Sequence, residues 1–203
     1  MPDLLPIEPF WLSRSATQVA PELIGCTLVR QSSDDLTLRG VIVETEAYEP
    51  DDPAMHAYQR QTVRNQVMFG SAGHAYVYRI YGYYHCLNIV TDQNGIASSV
   101  LIRAVELETV PPWIDLQQEP KPHRLAAGPG KLCRALKIDS SLNAILLEPG
   151  QALWLEHRNS QFQQQLDEGR LTLTQTTRIG LTKGTDLLQR WYLSKCPAVS
   201  KKG

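Results

Sequence analysis

Three strand-like runs of apolar, aromatic and β-branched residues follow one another in the middle of the chain, at residues 73–82, 83–91 and 97–107. Gly82 separates the first two runs, and the polar stretch 92–95 separates the second from the third. Connections this short join neighbouring antiparallel strands. The pattern therefore predicts an antiparallel meander whose side chains alternate between the two faces of a sheet.

The rest of the chain contains shorter apolar runs between polar, glycine or proline breaks. Further strands are predicted at residues 26–31, 36–48, 152–157, 172–181 and 190–194. Helices, marked by serine, glycine or proline at their ends, are predicted at residues 13–25, 61–70 and 128–138. A turn is expected at 32–35 and a surface loop at 108–123. We expect one α+β domain over residues 1–203, with a curved antiparallel β-sheet and surrounding helices.

The composition is that of a globular protein and gives no sign of a bound metal. Of 203 residues, 42% are hydrophobic and 20% charged, and the net charge is −1, which is ordinary for one domain. The four cysteines are far apart and the five histidines form no ligand motif, so no disulfide framework, metal or other cofactor is expected. Without a targeting signal or a long apolar run, we expect a cytoplasmic protein with no membrane contact.

The charges are unevenly distributed. Residues 120–138 contain five lysine and arginine residues and no acid, whereas residues 44–52 contain five acidic residues and no base. A local basic face on a neutral protein suits phosphate binding. Scattered, solvated charges would give the same composition, so this feature leaves both interpretations open.

Two carboxylates stand out in the strand predicted at residues 36–48. Because strand side chains alternate between faces, Glu44, Glu46 and Tyr48 share one face, with the carboxylates about 7 Å apart along the strand. Such a pair suits acid–base chemistry. A solvated or salt-bridged strand face has the same pattern, and the spacing does not distinguish the two.

Tyrosines are concentrated in the same part of the chain. Seven of the eight lie between Tyr48 and Tyr84, and most aromatic residues in strands pack in the core or at a sheet edge. Tyr81, directly before Gly82, differs because a side chain at a tight turn can stand out from the protein. An exposed aromatic near arginines and carboxylates suits insertion between stacked bases.

Six segments in order resemble the successive motifs of the alkyladenine (3-methyladenine) DNA glycosylase family. The first is VETEAY at residues 43–48 and the last is RIGL at residues 178–181. Between them lie RQTVRNQVMF, GHAYVYRIYGYYHCLNIV, VLIRAVE and GPGKLCRAL. The resemblance covers nearly the whole chain, and it implies a fold similar to the C-terminal domain of methionyl-tRNA formyltransferase.

The resemblance implies that a damaged purine is flipped out of the duplex and that water then displaces the base from deoxyribose. Glu46 matches the general base that activates this water. Arg103 matches an arginine beside it, which favours the charged form of the carboxylate. That form can accept the water's proton and stabilise the positive charge that develops on the sugar. Glu44 matches no catalytic position, so a structural or supporting role is favoured for it.

The resemblance also implies residues that bind the DNA. Tyr48, His56 and Tyr78 match the walls that stack on the flipped base, where an electron-poor alkylated purine suits an aromatic face. Asn88 matches a residue that excludes normal guanine by clashing with its exocyclic amine. Tyr81 matches the residue that fills the gap left by the extruded nucleotide. Contacts to the phosphate backbone are expected from Lys131, Arg64 and Arg134.

The resemblance thus implies a monofunctional DNA-3-methyladenine glycosylase of base-excision repair, monomeric and bound to the bacterial nucleoid. Its partner would be double-stranded DNA with damaged purines of the 3-methyladenine, 7-methylguanine, hypoxanthine and ethenoadenine class. No lysine matches a Schiff-base nucleophile, so no lyase activity is expected. Two alternatives remain. One is a non-catalytic nucleic-acid-binding module of the same fold; the other is a glycoside hydrolase using Glu44 and Glu46, which would leave Tyr81 unexplained.

Overall fold

The computed structural model describes residues 5–32 and 36–203, and within them it contains one eight-stranded antiparallel sheet. The strands are β1 Thr27–Gln31, β2 Thr37–Tyr48, β3 Ala75–Ile80, β4 Tyr84–Val90, β5 Ser99–Leu107, β6 Leu153–Glu156, β7 Leu173–Thr176 and β8 Arg190–Leu193. The α-helices in these ranges are α1 Pro9–Leu12, α2 Ala16–Glu22, α3 Pro129–Ala135 and α4 Ser160–Asp167, and 3-10 helices lie at Gln66–Phe69, Pro122–Arg124 and Ser140–Leu142. The α+β prediction is confirmed, and β3, β4 and β5 form the predicted antiparallel meander.

Strand β2 organises the sheet because it pairs with three other strands. Its first half pairs with β1, its second half pairs with β8, and β5 runs along its other edge. The register with β5 shifts on both sides of Glu44, which marks a bulge. A bulge bends and twists a strand, so the sheet curls into a half-barrel with Glu44 at the bend. The sheet order is β3-β4-β5-β2-β1-β6, and β7 joins through β8.

The core lies between the curled sheet and helices α2 and α3. It contains Ile42 and Ile102 from neighbouring strands, together with Val19 from α2 and Leu132 from α3, all fully buried. Each such side chain contributes about 1.5–3 kcal/mol by leaving water. A second, smaller hydrophobic cluster consists of the buried residues Met55, Ala57, Met68, Tyr76, Val90 and Ala97. The main core fixes the sheet, and the smaller cluster supports the loop that follows β2.

The predicted helix at residues 61–70 is wrong, because only a 3-10 helix at Gln66–Phe69 forms there. Asn65 is buried, and its Oδ1 accepts a hydrogen bond from the Thr62 amide at 2.6 Å. Its Nδ2 donates to the carbonyl oxygens of His56 and Arg60, at 2.9 and 3.0 Å. Such side-chain bonds to the backbone compete with helical ones. They stabilise a folded loop in place of the first helical turns.

Other elements differ from the predictions in extent. The predicted strand at 172–181 ends at Thr176, because the Thr177 carbonyl and the Ile179 amide bond to side chains instead of a neighbouring strand. Helix α4 was not predicted, although the Asn159 side chain caps it through the Phe162 amide at 2.7 Å. The predicted loop at 108–123 is irregular up to residue 121. The predicted turn at 32–35 falls mostly on residues 33–35, outside the described part of the chain. Within that part, no helix has the length and apolar character needed to cross a membrane.

Candidate active site

A cavity of about 490 Å³ opens among strands β2 to β5 and the start of α3. This volume falls in the usual range for small-molecule sites. Eight of the ten predicted site residues line it, and Arg64 and Arg134 do not. The eight are Glu46, Tyr48, His56, Tyr78, Tyr81, Asn88, Arg103 and Lys131. The curled sheet therefore brings together residues that are up to 85 positions apart in the sequence.

Glu46 is a fully buried carboxylate on the wall of this cavity. Its Oε2 accepts a hydrogen bond from the Tyr48 hydroxyl at 2.9 Å, and its Oε1 accepts one from the Ile179 amide at 2.8 Å. Nη1 of Arg103 lies 3.2 Å from the same Oε1. A buried charge is tolerated when it is paired and hydrogen-bonded in this way. The carboxylate is thus held in one orientation from three sides.

Arg103 connects Glu46 to a second buried carboxylate. Its Nε donates to Oε1 of Glu44 at 3.1 Å, while its Nη1 faces Glu46. Burial alone would lower the pKa of Arg103, but the charges of Glu46 and Glu44 outweigh that effect and raise it. Arg103 is therefore a permanent positive charge beside the cavity. Arg103 therefore lies beside Glu46 in the structure, where the sequence motifs predict it.

Tyr48 stacks on the guanidinium of Arg178 and donates a hydrogen bond to Glu46. The pKa of Tyr48 is well above its usual value because the phenol is buried, and because Glu46 adds a nearby negative charge and accepts its hydrogen bond. The phenol therefore keeps its proton and stays a donor. Cζ of Arg178 lies 4.5 Å from the centroid of the Tyr48 ring, a distance typical of a cation–π contact.

Aromatic rings form another wall of the cavity. The rings of His56 and Tyr78 are 4.4 Å apart at an angle of 69°, and Tyr76 lies 5.3 Å from Tyr78. Nδ1 of His56 lies 3.2 Å from the Tyr76 hydroxyl, which fixes the imidazole. Desolvation at the cavity wall and the positive charge of Arg64 lower the pKa of His56. At neutral pH this wall is therefore aromatic and uncharged.

Asn88 lies deeper in the cavity, on β4. It is 4% exposed, and its Nδ2 donates to the Tyr76 carbonyl at 3.2 Å. Tyr76 and Cys86, which were not predicted as site residues, also line the cavity. They are cross-strand partners of Asn88 and Tyr78 in the β3–β4 ladder. Strand alternation alone could have identified both, since residues paired in register share a face.

Tyr81 stands on a tight turn at the edge of the cavity. It has a φ of 51°, Gly82 has a φ of 80°, and the Tyr81 side chain is 77% exposed. Positive φ values are adopted readily by glycine, and here they lie in the three-residue connection between the paired residues Ile80 and Tyr84. The exposure of the Tyr81 side chain shows that it points away from the protein, as the sequence predicts. Its neighbour Tyr83 is also exposed.

The basic residues predicted to bind phosphates have protein partners in the structure. Glu119 pairs with Arg134, and its Oε2 lies 3.8 Å from Nζ of Lys131. The hydrogen bond from Arg134 and the charge of Lys131 lower the pKa of Glu119. Arg64 donates to the carbonyl oxygen of Arg79 at 3.1 Å. Exposed pairs of this kind contribute about 0–1 kcal/mol, so a phosphate group could displace them.

Comparison with known proteins shows the family of this chain. A family model described as methylpurine-DNA glycosylase (MPG) matches residues 10–197. The chain belongs to the methylpurine-DNA glycosylase family. It is 58% identical over 200 residues to a protein of Trichodesmium erythraeum named "Putative 3-methyladenine DNA glycosylase", covering 96% of this chain and 97% of that protein. Identically named proteins of Synechococcus sp. and Methanoculleus marisnigri are 56% and 44% identical, covering 94% and 93% of this chain and 96% and 95% of theirs.

The acidic segment beside the cavity has structural partners within this member of the methylpurine-DNA glycosylase family. Glu49 accepts a hydrogen bond from the Thr17 amide at 2.7 Å, near the start of α2. Asp52 and Arg178 form a buried ion pair, with Nη2 of Arg178 2.9 Å from Oδ1 of Asp52. Arg178 was missed by the sequence analysis, although it opens the RIGL motif. Two of the acidic side chains therefore fold the loop rather than repel an anionic ligand.

Proposed function

We propose that the protein is a monofunctional glycosylase of base-excision repair that removes alkylated or deaminated purines from double-stranded DNA. The observation that carries the proposal is the buried Glu46 carboxylate, fixed by Arg103 and Tyr48 on the wall of an aromatic cavity. Membership of the methylpurine-DNA glycosylase family and the names of its relatives support the same activity. The expected lesions are 3-methyladenine, 7-methylguanine, hypoxanthine and ethenoadenine.

In the proposed reaction the damaged nucleotide leaves the base stack and its base enters the cavity, between the ring of Tyr48 and the wall formed by His56 and Tyr78. Glu46 accepts a proton from a water molecule as the water oxygen bonds to the anomeric carbon. The bond between that carbon and the base nitrogen breaks, and its electron pair leaves with the base. Positive charge that develops on the sugar is stabilised by the carboxylate. The products are a free base and an abasic site.

The cavity wall suits a cationic base. Aromatic faces attract cations, and the lowered pKa of His56 leaves the imidazole uncharged at neutral pH, so it does not repel such a base. 3-Methyladenine and 7-methylguanine carry this charge and leave as neutral molecules. Hypoxanthine and ethenoadenine are neutral, and their departure requires a proton that no residue of the cavity is assigned to supply.

The direct test is release of free base from duplex DNA that carries one lesion, measured for each of the four lesions between pH 5 and pH 9, a range that spans the ordinary pKa of histidine. We expect the two cationic bases to be released across most of this range. Release of the neutral bases should rise toward lower pH, because their departure requires a proton. Binding of lesion DNA without release of any base would instead favour the non-catalytic module.

Glycoside hydrolysis by a pair formed from Glu44 and Glu46 fits the structure poorly. Glu44 is fully buried and does not line the cavity. Its oxygens are bonded to Arg103, Arg190 and Ser200. A second catalytic carboxylate must reach the substrate or a water molecule, whereas Glu44 does not reach the cavity.

The proposal includes no lyase activity. Lys131 is the lysine on the cavity wall among the described residues, and its ammonium lies 3.8 Å from Glu119. A Schiff-base lysine needs a neutral, desolvated amine, whereas the Lys131 side chain is 44% exposed. Borohydride added during the reaction should therefore trap no covalent protein–DNA adduct. We further propose that the protein acts as a monomer.

Replacing Tyr81 with alanine should weaken binding to lesion DNA. If Tyr81 fills the gap in the stack, its loss removes a stacking contact of about 1–3 kcal/mol. We therefore expect the dissociation constant for a duplex with a stable abasic analogue to rise roughly tenfold. Fluorescence anisotropy measures this change. Phe10→Ala is the control, because Phe10 is an 86% exposed aromatic that does not line the cavity; an equal effect in both variants would contradict the role of Tyr81.

Replacing Asn88 with alanine should relax the exclusion of normal guanine. The side chain is fixed by its bond to the Tyr76 carbonyl, so it opposes the exocyclic amine of guanine rather than moving aside. We expect release of undamaged guanine to rise by roughly tenfold or more, which corresponds to about 1–3 kcal/mol of lost discrimination. Prolonged incubation with unmodified duplex measures it. Asn94→Ala, at an exposed position in the 92–95 turn, should behave as the unmodified protein.

A further inference from the structure

A buried network of charges lies next to Arg103, on the side away from Glu46. Glu44 is 0% exposed and receives four hydrogen bonds. Two come from arginines, namely Nε of Arg103 at 3.1 Å and Nη1 of Arg190 at 2.9 Å. The other two come from Ser200, whose amide and hydroxyl donate at 2.7 and 2.9 Å. Arg103, one of these donors, also contacts Glu46.

Arginine side chains donate hydrogen bonds to the backbone of the residues that follow β8, next to Glu44. Arg190 donates to the Lys201 carbonyl at 2.8 Å. Arg124 donates to the carbonyl oxygens of Val199 and Ser200, the latter at 2.9 Å. The match to the family model ends at residue 197, so these contacts lie beyond the matched segment. The consequence is that Ser200 can hold Glu44 firmly.

We propose that Glu44 is a positioning residue for the glycosylase reaction and that Ser200 holds it in place. This inference rests on the proposed function, since it assigns Glu44 a role through Arg103 and Glu46. Glu44 binds the Nε edge of Arg103, which leaves Nη1 as the atom facing Glu46. Arg103 is thereby shared between two carboxylates in a fixed orientation.

The sharing has a chemical consequence for Glu46. A carboxylate that faces an arginine alone is held strongly as the anion and is a poor proton acceptor. Glu44 occupies the Nε edge of the guanidinium, so the positive charge of Arg103 is shared between two carboxylates and is not directed at Glu46 alone. The geometry also prevents Arg103 from turning to a two-bond pairing with Glu46, which would cover the oxygen that a water molecule needs.

Several other groups face Glu46 and must stay unchanged in any test of this effect. Apart from Glu44, the titratable and charged side chains that influence it or bond to it belong to β2, β3, β4, β5 and the loop after β7. They are Tyr48, Tyr78, Cys86, Arg103 and Arg178. Burial raises the pKa of Cys86 and of Tyr78, so both stay neutral around neutral pH.

The variant Glu44→Gln tests whether the negative charge of Glu44 is needed for the reaction. We measure release of 3-methyladenine from DNA treated with dimethyl sulfate, at an excess of protein over lesions, as a function of pH. We expect a rate constant about 10- to 100-fold lower at neutral pH, the range expected when a catalytic group is misplaced. The acidic limb of the profile should move to lower pH, because the site has lost a negative charge beside Arg103. Binding to a duplex with an abasic analogue should change less than threefold.

Ser200→Ala tests the support without changing any charge, and Ser194→Ala is its matched control. Ser194 is a similarly half-buried serine after β8, and its hydroxyl bonds to Thr174 at 2.8 Å rather than to Glu44. We expect a rate constant a few-fold lower for Ser200→Ala with an unshifted acidic limb, and no change for Ser194→Ala. If Glu44→Gln does not fold, this pair still tests whether loosening Glu44 lowers the rate constant.

The outcomes separate this inference from the proposed function. If the unmodified protein releases no 3-methyladenine, the proposed function fails first. If it does, but a folded Glu44→Gln variant keeps both its rate and its acidic limb, the positioning role is wrong. Equal rates for Ser200→Ala and Ser194→Ala would likewise overturn the role of Ser200. A loss of thermal stability with an unshifted limb in Glu44→Gln would reduce Glu44 to a structural residue.

Discussion

Glu46→Gln should abolish base excision while leaving lesion binding nearly intact. Glutamine keeps the shape of the side chain and an oxygen that can accept from the Ile179 amide, but it cannot take a proton from water. General-base catalysis contributes about 10²- to 10⁴-fold, and the variant also loses the anion that stabilises the charged sugar. We therefore expect the single-turnover rate constant to fall by at least 10²-fold. Release of 3-methyladenine measures this, and anisotropy with an abasic-analogue duplex measures binding.

The control for this change is Glu106→Gln, which removes an exposed carboxylate from the same sheet, on β5. It has the same charge difference and should leave the rate unchanged. A folded Glu46→Gln variant that excises bases at the normal rate would contradict the mechanism proposed here. Loss of both binding and folding would instead indicate that the buried carboxylate is needed for stability.

Asp52→Ala should have the largest effect on stability. The Asp52 and Arg178 side chains are 1% and 0% exposed, and the two are joined by more than one hydrogen bond. Burial alone would lower the pKa of Arg178, but the hydrogen bond and charge of Asp52 raise it. Removing the carboxylate leaves a buried guanidinium without its partner, at a cost of about 3–5 kcal/mol in the free energy of unfolding. Urea unfolding followed by circular dichroism measures this difference.

Asp51→Ala is the matched control, because Asp51 is the exposed neighbour of Asp52 in the same loop. It should change the free energy of unfolding by no more than about 0.5 kcal/mol. Similar losses in both variants would mean that the loop, rather than the buried pair, determines the effect. A negligible loss for Asp52→Ala would contradict the buried pair itself.

Asp52 and Arg178 also connect the loop after β2 to the candidate active site. Arg178 donates to the Ala47 carbonyl at 3.0 Å and lies over the Tyr48 ring. The next residue, Ile179, donates its amide to Glu46. Part of the acidic segment at residues 44–52 therefore frames the candidate active site. The carboxylates of Glu49 and Asp52 bond to other parts of the protein.

Sequence patterns predicted the elements whose hydrogen bonds are local or regular. The meander of β3 to β5 was predicted because its strands are adjacent and joined by short turns. The helix predicted at 61–70 did not form, because Asn65 bonds to carbonyls of residues several positions earlier. No periodicity encodes such a bond. The same holds for residues 177–181, where side chains from distant strands bind the backbone.

The residues of the candidate site were named from sequence motifs, and their chemical types were determined at that level: a carboxylate, an arginine and a set of aromatic rings. Tertiary structure decided how they are connected. Glu44 and Glu46 looked like an equivalent pair on one strand, but the bulge in β2, the shared Arg103 and the contacts of Ser200 make them different. Glu46 lines the cavity, whereas Glu44 is buried and does not reach it. Contacts between residues 156 positions apart determine that difference, and such contacts exist only once the chain has folded.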